Sequence, residues 1–423
     1  MKQQRAVKVE LYPTDEQRIL IHKTFGCVRA VWNDMLGDEQ EFYAATDKHF
    51  IPTPAKYKKK RPYLSEVDSL ALCNAQLALQ KAFKRFFENH GHFGHPKFKT
   101  KKKAKKSYTT NCQYHVSGPT VYTAKDAIRL PKLGLVKAKL YRNTPDNWVL
   151  KSATISETKS GRIFCALLYE FDIPAPKEVL PTLENSIGLD YSSPLFYVDH
   201  ENRSPDKPRW LRESEAKLAH EQRLLSHMKY GSKNYIRQLH KIEVLQEHIA
   251  NQRKDFAHKE SRRIANAYGS VCVEDLDLQA MAQSLNLGKS TNDNGFGMFR
   301  EFLKYKLEEQ GKHLIKVDKW YPSSKTCHYC GGYYKDLQLG EEAWTCPHCG
   351  KHILRNQNAG INIRREGIRQ FYTERAAAVT FGEGHVVTFG EGHVVTFGEG
   401  HVVTFEESHV EPVTFFESHA AAS

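Results

Sequence analysis

The sequence predicts a multidomain chain of mixed α+β and α/β class. Three observations lead there. A length of 423 residues suits two or three separately cored domains. Helical stretches near the N-terminus give way to alternating, strand-like ones. Farther on, short apolar strands alternate with long helices.

Residues 5–11 alternate polar and apolar side chains and read as a strand that ends at Tyr12-Pro13. Thr14 then caps a helix carrying Ile19, Leu20, Phe25, Val28, Val31 and Trp32. A second helical stretch, from about residue 65 to 87, spaces Leu70, Leu77, Phe83 and Phe87 near the helical period. The polar, lysine-rich segment 89–106 punctuates the chain. A β-rich region follows to about Pro174, with strands at 149–157 and 162–170 joined by a Lys159-Ser160-Gly161 turn. Residues 174–181 read as a linker. Beyond it, Ser186-Ile187-Gly188-Leu189-Asp190 is a short apolar strand ending in a carboxylate, with 195–198 as its hairpin partner. About 55 helical residues follow, broken near Gly231, with Tyr235, Leu239, Ile242 and Ile249 on one face. Residues 270–274 form another apolar strand ending in a carboxylate, Glu274. A helix over 299–310 and a strand over 314–317 continue the alternation. The tail repeats an eight-residue unit from Val379 and suits a solvated, irregular or extended segment. Shallow metal binding by His385, His393, His401 and His409 is the alternative use of its histidines.

The formal charge of +13 understates how basic the body is. The tail from Ala376 to Ser423 holds seven glutamates and no Lys or Arg, so the first 375 residues carry all 62 basic residues against 42 acidic ones. Two segments concentrate the charge: Lys56, Lys58, Lys59, Lys60 and Arg61, then Lys97, Lys99, Lys101, Lys102, Lys103, Lys105 and Lys106. Such clusters favour polyanion binding through counterion release, and on so basic a body they point to nucleic acid. A pair of solvated loops, or a site for an acidic protein, is the plainer reading of either run alone. No apolar run is long enough to span a membrane, and the N-terminus lacks an apolar signal region, so a cytoplasmic protein is expected.

Cys27, Cys73, Cys112, Cys165 and Cys272 are scattered and odd in number, which suits reduced thiols rather than a disulfide framework. The other four cysteines form two CxxC pairs. Cys327 and Cys330 are separated from Cys346 and Cys349 by 15 residues, and the four can close a tetrahedral Zn²⁺ site. Gly331 and Gly350 follow the pairs, where knuckle turns need unusual backbone angles. A closed four-thiolate site leaves no open position for water, so its expected role is structural.

Asp190 and Glu274 each end a rigid apolar strand, which presents a carboxylate at a sheet edge. Two such groups can hold Mg²⁺ ions that activate a water and stabilise a departing phosphodiester oxygen. Either alone reads more readily as an exposed acid at a strand end.

The order of motifs reverses that balance. Ile187-Gly188-Leu189-Asp190, Val273-Glu274-Asp275-Leu276 and Tyr321-Pro322-Ser323-Ser324-Lys325-Thr326-Cys327 precede the four cysteines, and Arg355-Asn356-Gln357-Asn358-Ala359-Gly360-Ile361-Asn362-Ile363 follows them. With Leu11-Tyr12-Pro13-Thr14, Gly94-His95-Pro96-Lys97-Phe98-Lys99 and Leu130-Pro131-Lys132-Leu133-Gly134, this series resembles the TnpB family. These are transposon-encoded, RNA-guided, RuvC-type DNA endonucleases related to the type V CRISPR (Cas12-like) effectors. The resemblance spans about residues 5–370. It implies a helical recognition lobe (11–111) inserted in a β-barrel (1–10 and 112–183, linker included). It also implies an RNase H-like RuvC nuclease domain (184–318 and 352–375) interrupted by a zinc ribbon that binds target nucleic acid (319–351). The tail, 376–423, lies outside. The implied partners are a guide RNA and target double-stranded DNA, with no membrane. Guide pairing reads the target and the protein reads a short flanking motif. The implied cofactors are structural Zn²⁺ and catalytic Mg²⁺.

One position departs from the family. Its last motif carries an aspartate after the arginine, where this chain has Asn356. An amide keeps an oxygen ligand and loses the charge, so cleavage should fall steeply while RNA and DNA binding persist. The site residues expected from the resemblance are Asp190, Glu274 and position 356. The alternative function is a nuclease-inactive, RNA-guided DNA-binding protein that acts as a repressor.

Overall fold

In a computed structural model, which describes residues 1–141, 144–206, 210–276, 295–338, 340–380 and three short strands beyond, the N-terminal alternation is realised as β1 (Lys2–Tyr12). The chain divides into two compact units, Met1–Pro174 with Gly231–Val244 and Ala175–Tyr230 with Leu245–Ser423.

In the first unit α1 (Asp15–Thr46) starts at Thr14 through a capping box. Gln17 N–H donates to Thr14 Oγ1, and the Thr14 N–H donates to Gln17 Oε1, satisfying two otherwise orphaned donors. After a short α2 (Ala55–Lys58), residues 62–65 make a 3-10 turn, so α3 begins only at Ser69 (Ser69–Glu88), where the Asp68 carboxylate accepts from Leu70 N–H. Eight strands follow: β2 (Ser107–Asn111), β3 (Tyr114–His115), β4 (Gly118–Pro119), β5 (Tyr122–Thr123), β6 (Ala127–Leu130), β7 (Gly134–Lys139), β8 (Val149–Glu157) and β9 (Ile163–Asp172). With β1 they give a seven-stranded sheet in the order β2-β8-β9-β1-β7-β6-β5, and β3 pairs with β4. The strand β2 opens the β-rich region expected after residue 106. One stretch of α1 (Ile21, Phe25) packs on this sheet, while the next (Val31, Met35, Leu36) packs on α3 through Leu72, Leu79 and Phe83.

The second unit is built on a four-stranded sheet, order β11-β10-β12-β13, from β10 (Ser186–Ser192), β11 (Phe196–Asp199), β12 (Ser270–Glu274) and β13 (His313–Val317). The pairs β10–β12 and β12–β13 are parallel, and β10–β11 is an antiparallel hairpin. Buried on both faces, these strands read as continuous apolar runs. The unit's helices are α4 (Trp210–Ser226), the part of α5 (Lys233–Ala267) from Leu245 onward, α6 (Phe296–Glu308) and α7 (Arg355–Thr380). Ala257 and Ile264 of α5 and Phe299 and Leu303 of α6 cover the face that carries Ile187, Leu189, Val271 and Val273. On the other face, Ala359, Ile363 and Tyr372 of α7 cover Cys272, Ile315 and Val317. Residues 175–181, read as a linker, are pinned instead: Glu178 pairs with Arg375 and His313, and the Pro181 carbonyl accepts from Tyr372 Oη. Two further strands, β14 (Ala343–Thr345) and β15 (His352–Leu354), pair antiparallel, and β15 runs directly into α7.

The tail contributes β16 (His393–Phe397), β17 (His401–Phe405) and β18 (Pro412–Val413), paired antiparallel, in keeping with an extended segment. The positions of His385 and His409 and the side chains of His393 and His401 lie outside what the structure describes. Among the described residues no helix is long and apolar enough to cross a membrane.

The helix α7 meets the sheet at backbone contact. A Cβ on Gly188 would stand 2.0 Å from the Gly360 carbonyl oxygen, and one on Gly360 would stand 2.8 Å from the His200 nitrogen. Gly188→Ala should therefore destabilise this unit by about 3 kcal/mol or more, read as a fall in its unfolding midpoint. Gly26→Ala, where a Cβ in α1 meets nothing within 4 Å, should be neutral or stabilising by up to about 1 kcal/mol.

Candidate metal centre and paired carboxylates

The two CxxC turns are built alike. Gly331 N–H donates to the Cys327 carbonyl at 2.8 Å, and Gly350 N–H to the Cys346 carbonyl at 2.9 Å. Both glycines sit at positive φ, 72° and 69°, where a side chain would be strained. The sulfurs of Cys327, Cys330, Cys346 and Cys349 lie within 4.8 Å of one another, with Cys327–Cys349 and Cys330–Cys346 at 3.7 Å. A tetrahedron with metal–sulfur bonds of about 2.3 Å has edges of about 3.8 Å, so the set fits one metal ion. Burial raises the Cys327 thiol. It also works against ionisation of Cys346, yet the N–H groups of Cys349 and His348 pull that thiol down to about 6. Around the sulfurs lies a small core of Leu337, Trp344 and Ile353, with Tyr334 stacked on Trp344.

Asp190 and Glu274 stand one step beyond the paired residues Leu189 and Val273 on adjacent parallel strands. They share the parity of Gly188 and Cys272, so both carboxylates belong to the face covered by α7. Burial, then the neighbouring Glu274 charge, holds the Asp190 carboxyl well above the usual range, and Arg355 at the start of α7 pulls the other way. Burial raises Glu274 too, against a hydrogen bond from Ser323 Oγ to Glu274 Oε1 at 2.6 Å. Arg300 of α6 fixes the end of β12 by donating to the carbonyls of Glu274 and Leu276. Two raised carboxylates at neighbouring register positions are a donor set that a divalent cation would relieve. Asn356, half-buried, is the second residue of α7, beside Arg355.

Sequence reasoning missed the amides that tie these parts together. Asn358 is fully buried and donates to the carbonyls of Ser323, Ser324 and Thr326, while its oxygen accepts from the His328 N–H. Asn362, one turn on, donates to Ser323 and Thr326. The available signal was a pair of asparagines at i and i+4 in the helix that follows the second CxxC pair.

The basic residues divide. Lys56 pairs with Asp38, Arg61 with Asp34 and Lys106 with Glu157. Lys99 turns inward over the Trp32 ring, 3.3 Å from its centroid, and burial lowers its ammonium to about 8. Lys58, Lys59, Lys60, Lys97, Lys101, Lys102, Lys103 and Lys105 make no ion pair among the described residues.

With this geometry in place, comparisons with known proteins assign the class. The chain matches family models described as a helix-turn-helix domain (residues 1–48), a probable transposase (169–285) and a Cas12f1-like TNB domain (296–363). Its fold is that of the Cas12 effectors: it is similar to the protein in a cryo-EM structure of a Cas12f1–sgRNA–target DNA complex. That match has a TM-score of 0.54 and 11% identity over 86% of this chain and 99% of the other. It is also 32% identical to a "putative RNA-guided DNA endonuclease" of Streptomyces pristinaespiralis, over 86% of this chain and 89% of the relative. Identity to the "putative RNA-guided DNA endonuclease InsQ" of Escherichia coli K12 is 27%, over 87% and 93%. Within the Cas12-like fold the chain belongs to the TnpB family.

Because both carboxyls are raised by folding, their ionised pair costs stability at neutral pH, and the cost fades as pH falls through the raised range. Asp190→Asn should therefore raise the melting temperature in Mg²⁺-free buffer by a few degrees, on the order of 1 kcal/mol. That gain should shrink on acidification. Cys346→Ser should unfold the knuckle, since structural zinc contributes on the order of 10 kcal/mol to folding. Metal analysis of the unaltered chain should give one zinc per molecule.

Proposed function

We propose that the chain is an RNA-guided DNA-binding protein with a RuvC-like endonuclease site, and that Asn356 weakens its cleavage. In this reading the sheet β10–β13 with α7 is the nuclease core, the four-cysteine knuckle is a zinc ribbon, and the N-terminal sheet and helices form a β-barrel with a helical recognition lobe. The guide RNA pairs with one target strand, and the unpaired lysines of the two basic segments contact backbone phosphates. The observation that carries the reading is the adjacency of Asp190 and Glu274 on the α7 face, in a chain of this family.

Asp190 and Glu274 would hold the Mg²⁺ ions, and position 356 would complete the set. Bound there, Mg²⁺ would supply an activated water and stabilise the departing oxygen of a phosphodiester. Ser323 donates a hydrogen bond to Glu274, and the parallel pairing of β10 and β12 puts both carboxylates at neighbouring positions on one face. Asn356 adds an oxygen but no charge, leaving two anions where the family has three. That residue favours a second reading, in which the chain binds guide-matched DNA without cutting it.

The protein should copurify with a structured RNA, and its DNA target should follow the guide rather than a fixed protein-read sequence. A nucleic-acid-free preparation that binds one duplex sequence specifically would contradict this. Asn356→Asp should raise Mg²⁺-dependent cleavage of guide-matched DNA by at least about a hundredfold, and adding Asp190→Ala should abolish it. Target binding should change little in both variants. An Asn356→Asp variant that binds its target and never cuts would leave the second reading standing.

A further inference from the structure

Ser323 lies between β13 and the first knuckle cysteine and is 5% exposed. Three side chains converge on it. Its hydroxyl donates to Glu274 Oε1 at 2.6 Å. Its carbonyl accepts from Asn358 Nδ2 at 3.1 Å and from Asn362 Nδ2 at 2.8 Å. The same Asn358 grips the knuckle, for its Oδ1 accepts from the backbone N–H of His328 at 2.9 Å and faces His328 Nδ1 at 2.9 Å, and His328 sits between Cys327 and Cys330. An amide can donate to the turn and accept from the knuckle at once. A carboxylate could only accept, and an alkyl group would leave buried carbonyls unpaired. With both amides holding the turn, the Ser323 hydroxyl is fixed toward Glu274. It restrains the carboxylate at one oxygen, on the strand beside the one that carries Asp190.

We infer that Ser323 is a positioning residue for Glu274, and that Asn358 links its setting to the metal knuckle, so that cation affinity at the carboxylate pair depends on the knuckle's order. This rests on reading Asp190 and Glu274 as a cation site. Partners that orient a metal ligand typically contribute roughly tenfold to a hundredfold in affinity.

The test titrates Mn²⁺ into the full chain by calorimetry, with zinc content measured on each sample, both as the chain stands and with Asn356→Asp. Asp190→Ala should remove the Mn²⁺ binding. Ser323→Ala should weaken it roughly tenfold to a hundredfold with zinc content unchanged, and Ser323→Thr, which keeps a hydroxyl, should recover most of the loss. Asn358→Ala should weaken Mn²⁺ binding and also make the zinc easier to remove with a chelator. If Ser323→Ala titrates like its parent, or loses zinc together with Mn²⁺, the positioning role is overturned while the reading of the carboxylate pair stands. If Asn358→Ala releases zinc but keeps full Mn²⁺ affinity, the link to the knuckle is overturned. If Asp190→Ala leaves Mn²⁺ binding intact, the reading of the pair fails and the inference fails with it.

Discussion

The backbone contact between α7 and the sheet at Gly188 and Gly360 is the constraint on which the rest of this unit depends. No side chain can be inserted there, so the helix has one depth. With its depth set, Arg355 is brought to act on Asp190, and Asn358 and Asn362 reach the turn at Ser323. Because β15 enters α7 without a break, the knuckle is joined to the same helix by chain as well as by hydrogen bonds. A displacement at any of these points would be felt at the carboxylates.

The arrangement stores opposing energies. Two carboxylates at neighbouring register positions, both raised by burial, oppose folding when ionised. The knuckle has the opposite problem. A core of Cys327, Leu337, Trp344, Cys346 and Ile353 is small for the loops it must order, a deficit that a metal held by the four thiolates would offset. Such local costs are tolerable because the surrounding unit is well packed, with apolar helix faces on both sides of one sheet.

How much of this was legible in the sequence depended on the range of each interaction. The cysteines announce themselves because metal ligation fixes their spacing within each turn. The capped start of α1 and the apolar strands that carry Asp190 and Glu274 were visible for the same local reason, although β10 runs two residues past Asp190, to Ser192, because its hairpin pairing with β11 continues there. That the two carboxylates share a register was not, since it depends on a parallel pairing across a long helical crossover. The inward turn of Lys99 was hidden too: nothing within a lysine run tells which member finds Trp32, far away in sequence. The strand β2 lies in the region read as β-rich, but Ser107–Asn111 has little apolar alternation of its own, and its pairing with β8 is revealed only by the fold. Ser323 was quoted as part of a motif, but its partner Glu274 is revealed only by the folded turn.

The central claim is that Asp190, Glu274 and position 356 face one cation centre. Anomalous diffraction from crystals of the Asn356→Asp chain soaked in Mn²⁺ tests it most directly. The account predicts a peak about 2.1 Å from carboxylate oxygens of both Asp190 and Glu274, with the residue 356 side chain beside it. A map with no peak there, or with Mn²⁺ only among Asp275 and Asp318 on the neighbouring surface, would contradict it.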